Sequence, residues 1–287
     1  MRYTRSRRAR LDAARRRPLK MAILIHALAA ALYAVAAWVR WPGSTPRADT
    51  GPALAAWLAP IALVVHAVAL VPAIATPQGF DLSMPNAVSL VAALCVLVTW
   101  GTGFLRTLPG SAAIVLPVAA AASLLPVLFQ NPHRFPYAGE PWAAAHIAVA
   151  LLAYAFLLVA ALTALLMTGL EKRLHRGLPA DGGDATPPLL TLERYLFRLI
   201  GAGFLLLTLT VASGLVFSEE VFGKPFTLTH KSLFTILAWI TFGALIAGRW
   251  RFGWRGRRAL GWILAGTGLL VLAYLGSKFV LEVLLGR

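Results

Sequence analysis

The sequence predicts an all-α, polytopic membrane helix bundle with about eight transmembrane helices, and three observations carry that expectation. Of the 287 residues, 59% are apolar and only 13% charged, where an ordinary soluble domain carries about a quarter charged residues. The mean hydropathy is +0.74. Uncharged stretches close to 20 residues long recur along the whole chain, each long enough to cross about 30 Å of hydrocarbon. Their spacing leaves no gap in which a separate soluble domain would fold. A water-soluble enzyme is excluded, and so is a protein with a large extramembrane part.

Runs free of Asp, Glu, Lys and Arg place the spans in order at about 22–39, 52–75, 86–105, 111–129, 142–170, 199–218, 232–248 and 259–277. The first opens directly after Met21. The third begins among polar groups, Ser83, Asn86 and Ser89, beside Pro85. The fifth, from Trp142 to Leu170, would be about 43 Å long at 1.5 Å per residue, so it must tilt or project from the bilayer. Ahead of the sixth, Leu189, Leu192, Leu196 and Leu199 recur at helical spacing opposite Glu193, Arg194 and Arg198, which reads as a short surface helix leading into the span. Between the seventh and eighth, residues 249–258 carry five arginines among two tryptophans and a phenylalanine, the composition of a loop anchored at headgroup level. Alanine-rich faces throughout let helix backbones approach where no hydrophobic effect drives association.

The formal charge is +16, and half of it lies in residues 1–20, which hold nine Lys/Arg against the single acid Asp12. The rest lies in loops, as a membrane-topology signal does, so nucleic acid is not an expected partner. Of the 18 Lys/Arg after residue 20, 13 fall in the loops after spans 1, 3, 5 and 7. By the positive-inside rule that side is cytoplasmic, and both chain ends lie outside, in the periplasm of a bacterial inner membrane. The basic head opposes this orientation. Either the head draws the first span into an N-inside orientation or it is not part of the working protein. Because Met21-Ala22-Ile23-Leu24 begins the first span as a natural start would, the second is favoured, with residues 1–20 an upstream start-site choice and 21–287 a single transmembrane domain.

Cys95 is the one cysteine and lies within an apolar run, which excludes an intrachain disulfide, a CxxC redox pair, a thiolate zinc site and c-type haem attachment. HExxH, GxSxG and Walker-type strings are missing and the carboxylates lie mostly in loops, so no enzymatic activity is expected. Six histidines remain. Neutral imidazole ligates haem iron and carries protons, and in hydrocarbon it needs a partner. His146 falls at the outer end of span 5 and His230 immediately precedes span 7 on the same side. Two imidazoles from different helices at one depth are what six-coordinate haem iron requires. His66 lies deeper in span 2, as a second-site ligand or a buried hydrogen-bonding residue. His26, His133 and His175 read as structural, interfacial or solvated. Phe135, Tyr137, Trp142 and Phe226 would flank a porphyrin or form an interfacial belt.

In these same stretches the chain resembles the membrane-bound cytochrome c assembly protein family (CcsA/ResC-like), most closely its HemX-like and YpjD-like inner-membrane branch. The stretches run from His146-Ile147 to Tyr154, Leu192-Glu193-Arg194 to Phe197, Ser213-Gly214-Leu215 to Phe217, and His230-Lys231 to Trp239. Gly253 to Arg258 and Tyr274 to Phe279 complete them. The resemblance implies haem binding or transfer in the assembly of c-type cytochromes, with His146 at the family's first external histidine, and cytochrome c maturation subunits and apocytochrome c as partners. The chain departs from the family in two places. The tryptophan-rich external motif is replaced by the short segment 218–230, and Leu275-Gly276-Ser277-Lys278 stands where a second external histidine is expected.

The leading expectation is therefore a non-enzymatic haem-handling protein that binds b-type haem through His146 and His230, with His66 as a further candidate. Its rivals are a small-solute or ion transporter and a regulatory or scaffold protein. The orientation is directly testable. Alkaline phosphatase fused after Arg287 should be active and a fluorescent protein there dark, and the reverse pattern would overturn the topology.

Overall fold

The computed structural model describes residues 2–40, 52–76, 79–103, 111–129, 134–135, 141–177, 189–216 and 229–276. Helices dominate them: α1 (Arg2–Val39), α2 (Pro52–Ile74), α3 (Met84–Gly101), α4 (Ser111–Leu128), α5 (Pro141–His175), α6 (Leu189–Val216), α7 (His230–Phe252) and α8 (Gly256–Val271). Seven of these are long and apolar enough to cross a membrane, the stretch in α1 being Lys20–Val39. Helix α8 runs on into a π turn, Leu272–Gly276. Together its 16 residues and this five-residue turn reach about 31 Å, enough for the eighth span. The polytopic all-helical expectation holds, because in hydrocarbon a helix satisfies each backbone N–H and C=O within its own segment.

The helices pack as two groups. Helices α1 to α4 contact one another, α5 to α8 contact one another, and α3 against α5 is the main seam between the groups. The first group buries a core of small residues around Tyr33, Val96 and Leu116. The second buries Leu157, Ile200, Leu207, Phe242 and Ile263, and Val98 of α3 reaches across into it. Glycine permits the closest approach. A Cβ on Gly266 of α8 would lie 2.7 Å from the ring of Phe242 on α7, and one on Gly248 would lie 2.3 Å from the Trp254 indole. Gly253 ends α7 in the left-handed conformation, φ 65°, which glycine adopts without steric cost.

Two features differ from the sequence expectation. The surface helix expected ahead of span 6 is not separate: α6 is continuous over 28 residues. Nothing between Arg198 and Leu199 breaks a helix, and Leu192, Leu196, Leu199, Ile200, Gly203 and Leu207 form one buried stripe through the junction. A small antiparallel sheet also appears, β1 (Ala75–Thr76), β2 (Gly79–Asp81) and β3 (Arg134–Phe135), in the order β1-β2-β3. It pairs Phe80 with Phe135 and Asp81 with Arg134. The Asp81 carboxylate accepts from the Ser83 N–H at 3.0 Å, and Asn86 donates to the Asp81 carbonyl at 3.0 Å, which fastens the start of α3 to the hairpin.

These contacts also sort the loops. The sheet joins the connection after α2 to the one after α4. At the other end Thr102, after α3, bonds the hydroxyl of Tyr195 on α6 at 2.6 Å, and Arg249 near the end of α7 pairs with Glu193. Both groupings agree with the alternation used for the charge tally.

The Gly266 contact gives a stability test. Phe242 is fully buried and has no room to retreat, so Gly266→Ala should cost about 1–3 kcal/mol by overpacking. Gly268→Ala, whose Cβ would meet nothing within 4 Å, should be neutral or slightly stabilising. Thermal unfolding of the purified variants in detergent separates the two.

Candidate functional site

His146 is the sixth residue of α5 and is half-buried. Its Nδ1 lies 2.8 Å from the hydroxyl of Ser213 on α6. The Ser213 O–H donates to the Thr210 carbonyl at 3.1 Å, so toward the imidazole the serine oxygen accepts. With the hydroxyl so directed, Nδ1 carries the proton and Nε2 the lone pair. That is the tautomer of a metal-ligating histidine, its second nitrogen fixed by a hydrogen bond from the protein. Gly214 lies beside the ring, where a Cβ would stand 3.5 Å from Cε1.

His230 is the first residue of α7 and is exposed. Its position is set by a capping box, in which the Thr229 hydroxyl accepts from the Ser232 N–H at 3.3 Å and the Thr229 N–H donates to the Ser232 hydroxyl at 2.8 Å. The antiparallel run of α5, α6 and α7 brings His146 and His230 to the same end of the bundle. Lys231 follows, with Nζ 5.3 Å from the centroid of the Tyr274 ring. Tyr274 sits in the π turn, a feature that often marks functional sites. Its ring meets Tyr154 edge-on at 5.9 Å, and the Tyr154 hydroxyl donates to the Leu270 carbonyl at 2.8 Å. Both tyrosines border an apolar cleft of about 340 Å³ between α3, α4, α5 and the end of α8. No histidine lines this cleft, whose wall is apolar apart from the two tyrosines and Cys95.

His66 belongs elsewhere. It is fully buried in the first group of helices, with Nε2 2.8 Å from the Ser89 hydroxyl and Nδ1 3.4 Å from the Tyr33 hydroxyl. A neutral imidazole has one donor and one acceptor, and each ring nitrogen of His66 faces a hydroxyl, the arrangement of the buried hydrogen-bonding alternative. His26, which the sequence left as structural or interfacial, is 2% exposed, and its ring lies 6.4 Å from that of His66. Its Nδ1 is buried with no partner among the described residues. This four-residue cluster, His26, Tyr33, His66 and Ser89, was missed. The one available signal was a histidine or tyrosine on each of two adjacent apolar spans, and which faces they shared was not readable without packing.

The remaining candidates fall away from the His146 end. His175 is exposed at the opposite end of α5, its Nδ1 bonded to the Glu171 carbonyl at 2.8 Å. Trp142 is 63% exposed, as an interfacial anchor would be. His133, Tyr137, Phe226 and the side chain of Phe135 lie outside the described residues. In the arginine-rich connection, Arg249 and Arg255 both pair with Glu193, the latter at 3.4 Å, and Arg249 lies 4.2 Å over the Phe197 ring. This is an anchor built from charge and aromatic stacking. Among the described residues no group of three or more His, Cys, Asp or Glu side chains is placed to hold a bare metal ion.

Comparison with known proteins agrees with this layout. The family model described as cytochrome C assembly protein matches residues 54–285. Inner membrane protein YpjD of Escherichia coli K12 is 33% identical over 264 residues, 90% of this chain and 97% of that protein. Cytochrome c biogenesis protein CcsA of Thermosynechococcus vestitus is 28% identical over 196 residues, 56% of this chain and 61% of that protein. CcsA of Chlamydomonas reinhardtii is 29% identical over 164 residues, 56% of this chain and 42% of that protein. No solved structure matches the chain.

The His66 assignment is checked by Ser89→Ala. Removing the hydroxyl leaves a buried imidazole nitrogen without its partner, at a cost of about 1 kcal/mol in a membrane interior. Thermal unfolding in detergent should register that loss and leave the absorption spectrum of any bound cofactor unchanged. A spectral change would make His66 a ligand.

Proposed function

The chain belongs to the cytochrome c assembly protein family, and from that membership we propose that it binds b-type haem at the outer end of the bundle and holds or hands it on during cytochrome c biogenesis. It is a multi-pass inner-membrane protein. The observation that supports the reading is the Ser213–His146 pair, in which the serine oxygen can accept from Nδ1–H and leave Nε2 for a ligand. His230 at the head of α7 is the proposed second ligand, since it is the other described histidine at that end.

In this reading His146 and His230 would hold the haem, whose iron would supply the site that imidazole nitrogens ligate. The protein's own residues do the rest. Ser213 fixes the His146 ring and keeps Nε2 basic. The capping box fixes the direction of the first turn of α7 and hence the position of His230. Tyr154, Tyr274 and the apolar cleft behind them offer a surface from which water would be displaced. No described residue is assigned a catalytic step, and the proposed role is binding and presentation, with apocytochrome c and other maturation subunits as the partners.

One observation favours a second reading. The buried His26–His66–Tyr33–Ser89 cluster puts polar groups inside the membrane, as a small-solute or ion transporter does. Haem content decides between them. Protein purified after haem-replete expression should show the absorption bands of low-spin haem, sharpened by reductant. His146→Ala should lose most of the haem or leave a five-coordinate iron that added imidazole restores, and Ser213→Ala should weaken binding about 10-fold or more. His230→Ala should behave like His146→Ala, while His175→Ala changes nothing. Wild-type protein without haem would reject the reading in favour of transport.

A further inference from the structure

At the arginine-rich end of the bundle, α5, α6 and the start of α8 line a cavity of about 310 Å³. Its walls combine apolar side chains, among them Ala164, Met167, Leu196 and Leu260, with four polar ones, Thr168, Glu171, Glu193 and Arg255. Thr168 and Glu171 are three residues apart on α5 and so share one face of that helix. The Thr168 hydroxyl donates to the Ala164 carbonyl at 2.9 Å, which leaves its oxygen to accept. The Glu171 carboxylate is half-buried, and no cation among the described residues pairs with it. Arg255 comes from the start of α8, its side chain 62% exposed and its Nε 3.4 Å from Glu193. Arg249 already meets that carboxylate, so two guanidiniums share one acid. Arg255 is also the N-cap of α8 and makes no side-chain capping bond, so the N–H groups of the first turn lie beside it without that partner.

The connection that carries Arg255 sets the depth of this cavity. Trp250 and Phe252 are 95% and 72% exposed and five arginines lie within 249–258, the make-up of a loop at headgroup level. A cavity at that level meets lipid headgroups at its polar walls and acyl chains at its apolar ones. The polar walls also choose between headgroups. Glu171 and Thr168 offer acceptors, which suit a primary ammonium with its three N–H donors. Arg255 and the α8 amides offer donors, which suit a phosphate. The charges of Glu171, Glu193, Arg249 and Arg255 cancel, so the site matches a headgroup that carries both signs and no net charge. We propose that this cavity binds phosphatidylethanolamine, with the ammonium on Glu171 and Thr168, the phosphate on Arg255 and part of one acyl chain along the apolar wall. Phosphatidylcholine has the same two charges but no N–H donor, and phosphatidylglycerol has the phosphate but no ammonium. The proposal is independent of the haem reading, which concerns the opposite end of the bundle.

The test titrates the purified full-length protein, delipidated and held in detergent, with the dioleoyl forms of phosphatidylethanolamine, phosphatidylcholine and phosphatidylglycerol, and counts bound lipid by native mass spectrometry. Wild-type protein should bind phosphatidylethanolamine about tenfold more tightly than phosphatidylcholine, the difference one charge-assisted hydrogen bond makes, and more tightly than phosphatidylglycerol. Glu171→Gln should lose that preference, binding phosphatidylethanolamine about tenfold more weakly and phosphatidylcholine as wild type does. Retained phosphatidylcholine binding also shows that this variant is folded. Arg255→Gln should weaken both of these lipids about tenfold, and Arg255→Lys should recover most of the loss. Equal wild-type affinity for phosphatidylethanolamine and phosphatidylcholine would overturn the proposal, as would a Glu171→Gln or Arg255→Gln variant that binds phosphatidylethanolamine like wild type. Tighter binding of phosphatidylglycerol would overturn it in favour of an anionic-lipid site set by the arginines alone. Wild-type protein that retains none of the three lipids would overturn it outright.

Discussion

In hydrocarbon a polar group that finds no partner inside the protein finds none at all, and the organisation of this chain follows from that constraint. It forces the backbone into helices. It also decides which polar side chains are tolerated between them. Ser89 and Tyr33 answer His66, Ser213 answers His146, Thr208 accepts from the Trp239 indole, and the Leu270 carbonyl accepts from Tyr154. Each of these bonds joins two different helices. The polar contacts are thus also the registers at which the helices lock, since a slide of one turn would leave each group without its partner.

Close packing does the remaining work. Lipid tails are as apolar as leucine, so helices associate through van der Waals contact and a few hydrogen bonds. The second group of helices shows the consequence in Gly266 beneath Phe242 and Gly203 beneath Leu157. The first group reaches the same end with alanine: Ala36, Ala59, Ala62, Ala112 and Ala119 line its core. Charge is kept to the ends. Glu193 answers two arginines at one end of the bundle, and Lys231 lies on Tyr274 at the other.

The two ends therefore differ in character. At the arginine-rich end, charges neutralise one another and fasten α6 to the connection between α7 and α8. At the opposite end His146 meets Ser213, and Lys231 lies over Tyr274, which with Tyr154 borders an apolar cleft. The first end suits an anchor and the second a binding site, and membership of the cytochrome c assembly family agrees with that division.

Eight apolar runs, their parity and the end at which His146 and His230 fall are all consequences of local composition and of bilayer thickness, so the sequence alone determined them. Even the junction at Arg198 was visible as a leucine stripe, although its continuity with span 6 was not, because the charge of Glu193 is tolerated there only once Arg249 is known to meet it. What tertiary structure decided is which faces meet. A spanning helix is apolar on every side, so periodicity does not mark the buried face, and nothing in the chain announced that His26 turns toward His66, that Ser213 meets the His146 ring, or that a π turn carries Tyr274 under Lys231. Those facts depend on the rotation of each helix about its own axis, which only packing against its neighbours sets.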